Sequence, residues 1–197
     1  MRALIFIVTL LLAAPAFALD HYELDKEHTT IMFFVSHLGF SDMVGNFTAY
    51  DGTFQFDPAK PEESTLDVTI KPSGIRTSSA ALDKDLQGEK FFNTEKFPAI
   101  RFVGTAVTVT GADSGDVTGR LTLLGVTRPV ILHVHFNKAD YHPLTQDFVA
   151  GFHAEATLKR SDFGMNAYLP MVGDKVRVDI QAEGINIDRK HAERIKH

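Results

Sequence analysis

Val130-Ile131-Leu132-His133-Val134-His135-Phe136-Asn137 and, after a ten-residue interval, Phe148-Val149-Ala150-Gly151-Phe152-His153-Ala154-Glu155-Ala156-Thr157-Leu158 decide the fold. In the first stretch Val130, Leu132, Val134 and Phe136 alternate with His133, His135 and Asn137. In the second, Phe148, Ala150, Phe152, Ala154, Ala156 and Leu158 share one face. Successive side chains of an extended backbone point to opposite sides, so a period of two reads as an antiparallel strand with one dry and one wet face. Tyr141-His142-Pro143 supplies the turn between them.

The same period continues outward. Leu66, Val68 and Ile70 alternate with Thr65, Asp67, Thr69 and Lys71; Val117, Leu121 and Leu123 alternate with Thr118, Arg120 and Thr122. Val176, Val178, Ile180 and Ala182 share a face near the end of the chain. With the less regular runs this predicts eight strands, near residues 30–38, 45–56, 64–71, 99–110, 116–124, 129–138, 147–158 and 175–188. Gly39, Asp57-Pro58, Gly111 to Gly115 and Gly125 punctuate them. Gly52, Gly104 and Gly184 sit where the alternation changes phase, as expected of bulges that coil long strands around a closed sheet. Long one-sided strands without βαβ alternation favour an all-β, eight-stranded antiparallel barrel over a sandwich. The predicted interior carries Phe33, Val35, Phe47, Phe102, Leu121, Phe152 and Val176. One short helix fits Ser78 to Gly88, where Leu82 and Leu86 are spaced i, i+4, Ser78 or Ser79 caps and Gly88 stops the turn. The connection that follows is apolar for a loop: Phe91, Phe92 and Phe97 either plug one barrel mouth or line an opening there.

The chain has 197 residues, 44% hydrophobic and 23% charged, which is globular composition for one domain of ordinary size. A net charge of −5 lacks the basic footprint of a nucleic-acid binder. The chain has no cysteine, which excludes disulfides, thiolate metal sites and cysteine nucleophiles. Sixteen Phe, four Tyr and no Trp mean that whatever is enclosed is enclosed by phenyl rings. At the start, Arg2, the apolar run Ala3 to Ala14 and Ala16-Phe17-Ala18 read as a cleaved secretory signal over residues 1–18, leaving residues 19–197 as the exported domain. Removing Arg2 takes the charge from −5 to −6. The tail His191 to His197 reads as a frayed helix or disordered.

Most catalytic signatures are missing, including G-x-S-x-G, a phosphate-binding glycine loop and H-E-x-x-H. His133-x-His135 deserves weighing, because residues two apart on a strand point to one side; His153 is expected opposite His133 with Glu155 nearby. A metal-dependent enzyme on that face is the alternative to a binding protein, although the face would be wet and without supporting hydrogen bonds. His37 continues the Ile31, Phe33, Val35 face and should point inward at a strand end, as a rim histidine bonded to backbone or as a head-group contact. In Arg160-Ser161-Asp162-Phe163-Gly164, Arg160 and Asp162 either pair with each other or meet a ligand. Asn46-Phe47-Thr48 matches a glycosylation triplet inside a predicted strand.

These residues taken together resemble the YceI family of polyisoprenoid-binding or lipid-binding domains, from about Tyr22 to Glu183. The motifs stand as Phe33-Phe34-Val35-Ser36-His37-Leu38-Gly39, Gly45-Asn46-Phe47, Phe91-Phe92-Asn93, Phe97-Pro98-Ala99-Ile100-Arg101-Phe102, Gly119-Arg120-Leu121-Thr122-Leu123-Leu124-Gly125-Val126-Thr127-Arg128-Pro129, Arg160-Ser161-Asp162-Phe163-Gly164-Met165 and Gly173-Asp174-Lys175-Val176. The resemblance implies a lipocalin-like barrel, exported to the periplasm, holding a polyisoprenoid or other lipid without catalysis or cofactor. Partners on this reading are the lipid and a transient membrane contact, with a homodimer left open. An eight-stranded barrel is wide enough to be filled by its own side chains or to hold one slender ligand, so a stress-related barrel with a filled core stands as a further alternative. Ligand contacts are expected from the interior set with Phe163 and Phe91, Phe92 and Phe97; residues 78–98 would form the gate, with Lys90, His37 and Arg160 near a polar head.

Overall fold

The computed structural model describes residues 19–189, so the expected signal over 1–18 and the tail 191–197 lie outside the described residues. Eleven strands form one antiparallel sheet: β1 (Asp20–Leu24), β2 (Thr30–His37), β3 (Ser41–Phe47), β4 (Tyr50–Phe56), β5 (Thr65–Ile70), β6 (Ile75–Arg76), β7 (Ile100–Val109), β8 (Ser114–Leu123), β9 (Val126–Tyr141), β10 (Phe148–Lys159) and β11 (Val172–Asn186). One helix, α1 (Ala80–Gln87), interrupts them between β6 and β7.

The sheet closes because β11 pairs on one side with β10 and on the other with β2 and then β1. β2 pairs with β3 and β1 with β4; β3 in turn meets β6 while β4 meets β5. Each pair β1/β2, β3/β4 and β5/β6 is therefore one broken barrel strand, and with β7 to β11 the ring has the eight staves expected. Polar chemistry makes the breaks. Between β1 and β2, Asp25 takes the Glu27 N–H (2.8 Å) and faces His28 Nδ1 (2.8 Å), while the Tyr50 hydroxyl donates to the Thr29 carbonyl (2.6 Å). Between β3 and β4, both the N–H (3.0 Å) and the hydroxyl (2.8 Å) of Thr48 donate to the Gly74 carbonyl. β1 escaped the sequence reading because its five residues carry no apolar alternation, yet Tyr22 at its centre is buried and stacks on Phe54 at 4.8 Å.

Ladder irregularities fall between Gly104 and Ala106, between Gly151 and Phe152, and between Val172 and Val176. Gly104 thus sits at a bulge as expected. Gly52 and Gly184 do not: their ladders run without interruption, and their missing Cβ atoms make room instead. A Cβ on Gly184 would lie 2.3 Å from the Phe54 ring, and one on Gly52 2.7 Å from Leu24. Gly45 and Gly119 give the same room to Phe33 and Phe102, so rings lie flat across neighbouring staves. The bulge in β9 turns both Phe136 and Ala139 inward although they are three residues apart.

α1 is capped by Ser79, whose Oγ accepts from the Leu82 N–H (3.5 Å), and ends at Gly88. At this helix end of the barrel, Ile31, Phe33, Phe47, Tyr50, Ile75, Ile100, Phe102, Leu121, Leu123 and Phe163 form the larger core cluster. At the far end Tyr22, Phe54, Phe56 and Ala150 pack with Phe136, Phe148 and Phe152.

Candidate functional site

The interior alternation does not fill the barrel. It encloses a cavity of about 1010 Å³, at the upper edge of the roughly 300–1,000 Å³ usual for small-molecule pockets. The filled-core alternative is therefore overturned. The walls follow the sequence pattern: Phe33, Val35, Phe47, Phe102, Leu121, Phe152, Phe163 and Val176 all line it. Phe54, Phe56, Phe136, Ile180 and Leu158 also line it and lie on the same dry faces, so extending the alternation would have found them. The charged residues in the lining, Lys84, Asp85, Glu89, Lys90, Asp113 and Arg160, come from α1, its following turn, the β7–β8 hairpin and the turn after β10, not from the staves. Such a space suits an apolar body with any polar group held near a mouth.

At the helix end, His37, Phe91, Phe92, Lys90 and Tyr168 border the cavity. Phe92 meets Phe47 edge-on at 5.6 Å, Phe91 lies 6.1 Å from Tyr168, and Lys90 Nζ stands 5.5 Å above the Tyr168 ring. Among the described residues, the turn and cap hydrogen bonds made by the N–H groups from Asp83 to Phe97 stay between Ser79 and Phe97, for example Phe92 N–H to Leu86 O (2.9 Å) and Asn93 N–H to Gly88 O (3.0 Å). Side chains tie it to the barrel: Gln87 donates to Ser73 O (3.1 Å) and Lys90 to the Tyr168 hydroxyl (3.4 Å). The segment is thus a locally bonded cover. Around it stand exposed apolar side chains, Leu38, Phe40, Val44, Tyr168 and Met171, with Phe40 87% exposed at the tip of the β2–β3 hairpin. That tip turns on Leu38 (φ 55°) and Gly39 (φ 75°), a left-handed pair that glycine makes affordable.

Two expected contacts need correction. Phe97 does not line the cavity; its ring packs against the β8–β9 turn, where a Cβ on Gly125 would lie 3.0 Å from it, with Lys96 Nζ 5.4 Å above. Arg160 borders the cavity, but its partners are backbone carbonyls and not Asp162. Its buried guanidinium donates to the carbonyls of Gly173 (2.8 Å), Met165 (3.0 Å), Ala167 (2.8 Å) and Val172 (2.9 Å), closing the loop from β10 to β11. Beside it Ser161 donates its N–H (2.9 Å) and hydroxyl (2.8 Å) to Asp174, which holds that carboxyl below the usual carboxylate range.

At the far end β7 pairs with β5 only from Ile100 to Val103. Beyond that point β7 bulges and leaves β5, and the wedge is lined by Pro58, Pro61, Ser64, Val107, Val109 and Ala112. On the outer wall His153 faces His135, and Glu155 faces His133, not the pairing expected. The loop closing at Tyr141 and Phe148 and the β9 bulge set that register. His133 Nδ1 is 2.7 Å from Asp116 Oδ1, so it has a partner of its own.

The profile of the YceI-like domain matches residues 22–184, from within β1 to within β11. The chain belongs to the YceI-like family. A UPF0312 protein of Pseudomonas savastanoi pv. phaseolicola is 40% identical over 187 residues, 94% of this chain and 96% of its own. The YceI protein of Campylobacter jejuni, known from a crystal structure, superposes with a TM-score of 0.69 at 29% identity, over 77% of this chain and 89% of that one. A polyisoprenoid binding domain from Saccharophagus degradans shares the fold with a TM-score of 0.65 at 16% identity, over 85% of this chain and 99% of that domain. The YceI-like barrel thus carries its cavity on a fold shared with both solved structures.

Proposed function

We propose that this YceI-like protein is an exported, non-catalytic carrier or scavenger that holds a long apolar chain, a polyisoprenoid or another lipid, inside the barrel. The observation that carries the reading is the cavity of about 1010 Å³ with phenyl and aliphatic walls and its charges at the mouths. The fold is shared with a domain that binds polyisoprenoid, which supports the same ligand class here. Burying a forty-carbon chain from water would nominally gain about 30 kcal/mol at about 0.8 kcal/mol per methylene. That overshoots the practical ceiling near 18–21 kcal/mol. The chain starts in a membrane, where its tail is already in an apolar medium, so the net gain on transfer is small and the ligand can be both loaded and released.

Loading takes place at the helix end. There the locally bonded segment 78–98 lifts as a gate, and the exposed Leu38, Phe40 and Met171 rest transiently on the membrane from which the ligand comes. Native mass spectrometry of protein freshly prepared from a periplasmic extract tests the proposal, and the intact mass tests a mature start at Leu19. The expected result is a lipid adduct removed by organic extraction. Protein that carries no adduct and takes up no polyprenol from liposomes would overturn it.

A further inference from the structure

We propose a divalent transition-metal site of the zinc class on the outer wall of the barrel, formed by His153, Glu155 and Asp179. It rests on outer-wall geometry alone and stands apart from whatever the cavity holds. His153 and Glu155 are two residues apart on β10 and so point to the same side; Asp179 on β11 is the register partner of Glu155. Their ligand atoms lie within 4.8 Å of one another. His153 Nε2 is 3.5 Å from Asp179 Oδ1 and 4.0 Å from Glu155 Oε1.

The first separation is informative. A charge-assisted hydrogen bond would be about 2.7–2.9 Å. Two ligands on one tetrahedral zinc, with bonds of about 2.0–2.1 Å, stand roughly 3.3–3.4 Å apart, which is close to the separation seen. A second and independent observation agrees. The Nε2 atom is sealed from solvent and has no hydrogen-bond partner among the described residues, although the side chain as a whole is 35% exposed. Buried polar atoms are nearly always paired, and one aimed at two carboxylates is a ligand atom facing the place an ion would take.

The carboxylate is also held. Gln181 Nε2 donates to Asp179 Oδ1 (3.3 Å), and Arg177 Nη1 lies 3.5 Å from Oδ2 while its guanidinium stacks 3.8 Å over the Phe34 ring. Outer partners of this kind orient ligands and commonly tune affinity. His135, the register partner of His153 on β9, is exposed on the same face but lies outside the cluster, which leaves the fourth position to water; His133 is engaged by Asp116. One imidazole with two carboxylates suits zinc, cobalt or nickel and disfavours magnesium, which takes oxygen ligands in strict octahedra. An ion there clips β10 to β11 from outside without entering the cavity.

The test is zinc titration of the tag-free chain by calorimetry, with magnesium as the hard-cation control and cobalt absorption as a spectroscopic readout. Saturable binding of one zinc per chain is expected, with affinity lowered at least tenfold in His153→Gln and in Asp179→Asn and unchanged in His133→Gln. Circular dichroism confirms that each variant is folded, and tetrahedral cobalt bands in the parent vanish in His153→Gln. Absence of saturable zinc binding, or a folded His153→Gln variant that binds zinc as the parent does, overturns the proposal.

Discussion

Truncating Phe152 to alanine is expected to weaken the barrel and its hold on a ligand together. The ring sits at the far end of the cavity with centroids 5.5 Å from Phe54, 5.1 Å from Phe56 and 5.5 Å from Phe136, two of the contacts edge-on. Loss of a buried Phe costs about 3–5 kcal/mol when the site cannot collapse. Phe152 is only partly buried and already borders the cavity, so truncation enlarges an existing space instead of opening a new one. That places the loss near the lower figure, about 3 kcal/mol. For a domain of this size each kcal/mol moves Tm by about 2–4 °C, so a fall of roughly 6–12 °C is expected in a calorimetric melt. Lipid retention, followed by native mass spectrometry on the same samples, should fall further than stability, because the wall loses contacts with the ligand as well as with three rings. A Tm within about 2 °C of the parent and equal retention would refute the reasoning, since it would mean that these rings bear neither on the fold nor on the cavity.

Arg160→Met should leave four carbonyls of the β10–β11 loop without their donor, at about 3 kcal/mol or more, and Arg160→Lys should recover only part of it because an ammonium lacks the planar fork; limited proteolysis between residues 164 and 172 reads the loosening. Gly184→Val should cost about 1–3 kcal/mol in urea unfolding by pushing against Phe54, and parent-like stability would contradict the close approach. Asp174 has its carboxyl lowered by the two Ser161 donors, so its folded value lies below the unfolded one and its contribution is present above about pH 4 and lost as the pH falls through the folded value. Asp174→Asn resembles the protonated state; the Tm gap to the parent should be open at about pH 7 and close as the pH falls through the folded value. Hydrogen exchange should show residues 80–97 opening at lower free energy than β9 and β10, and gaining protection when a long polyprenol is loaded; protection confined to the far end would put the entrance there.

Alternation carried most of this architecture in the open. Every stave with a clean period of two, from Leu66 to Ala182, pairs in the structure as an antiparallel strand with that dry face inward, and the family motifs at 119–129, 160–165 and 173–176 fall on those staves and their turns. What stayed hidden depends on contacts between distant residues, which a local period does not encode. Tyr22 gives β1 its place by stacking on Phe54, thirty-two residues away. Gly184 is needed because of that same Phe54 and not because of its neighbours in sequence. Phe97 reads as a cavity residue from its company in the chain, but the glycine at 125 offers its ring a seat outside. Arg160 reads as a charge near Asp162; only the closed loop reveals that backbone carbonyls surround it. The offset of His153 from His133 is decided by where the β9–β10 loop closes and by one extra residue in β9.

The lining of the cavity runs from His37, Lys90 and Tyr168 at the helix end to Pro58, Pro61 and Ala112 beside the wedge where β7 parts from β5. A pocket with a blind floor acts as a ruler: it rewards the chain that reaches the bottom and rejects a longer one. Were a chain to pass the far-end rings and leave at that wedge, the bore would have no floor to measure against, and selection would fall on girth, with surplus carbons passing on toward the β7–β8 hairpin. Homologous lipids that differ only in the number of repeating units should then compete for this barrel on nearly equal terms.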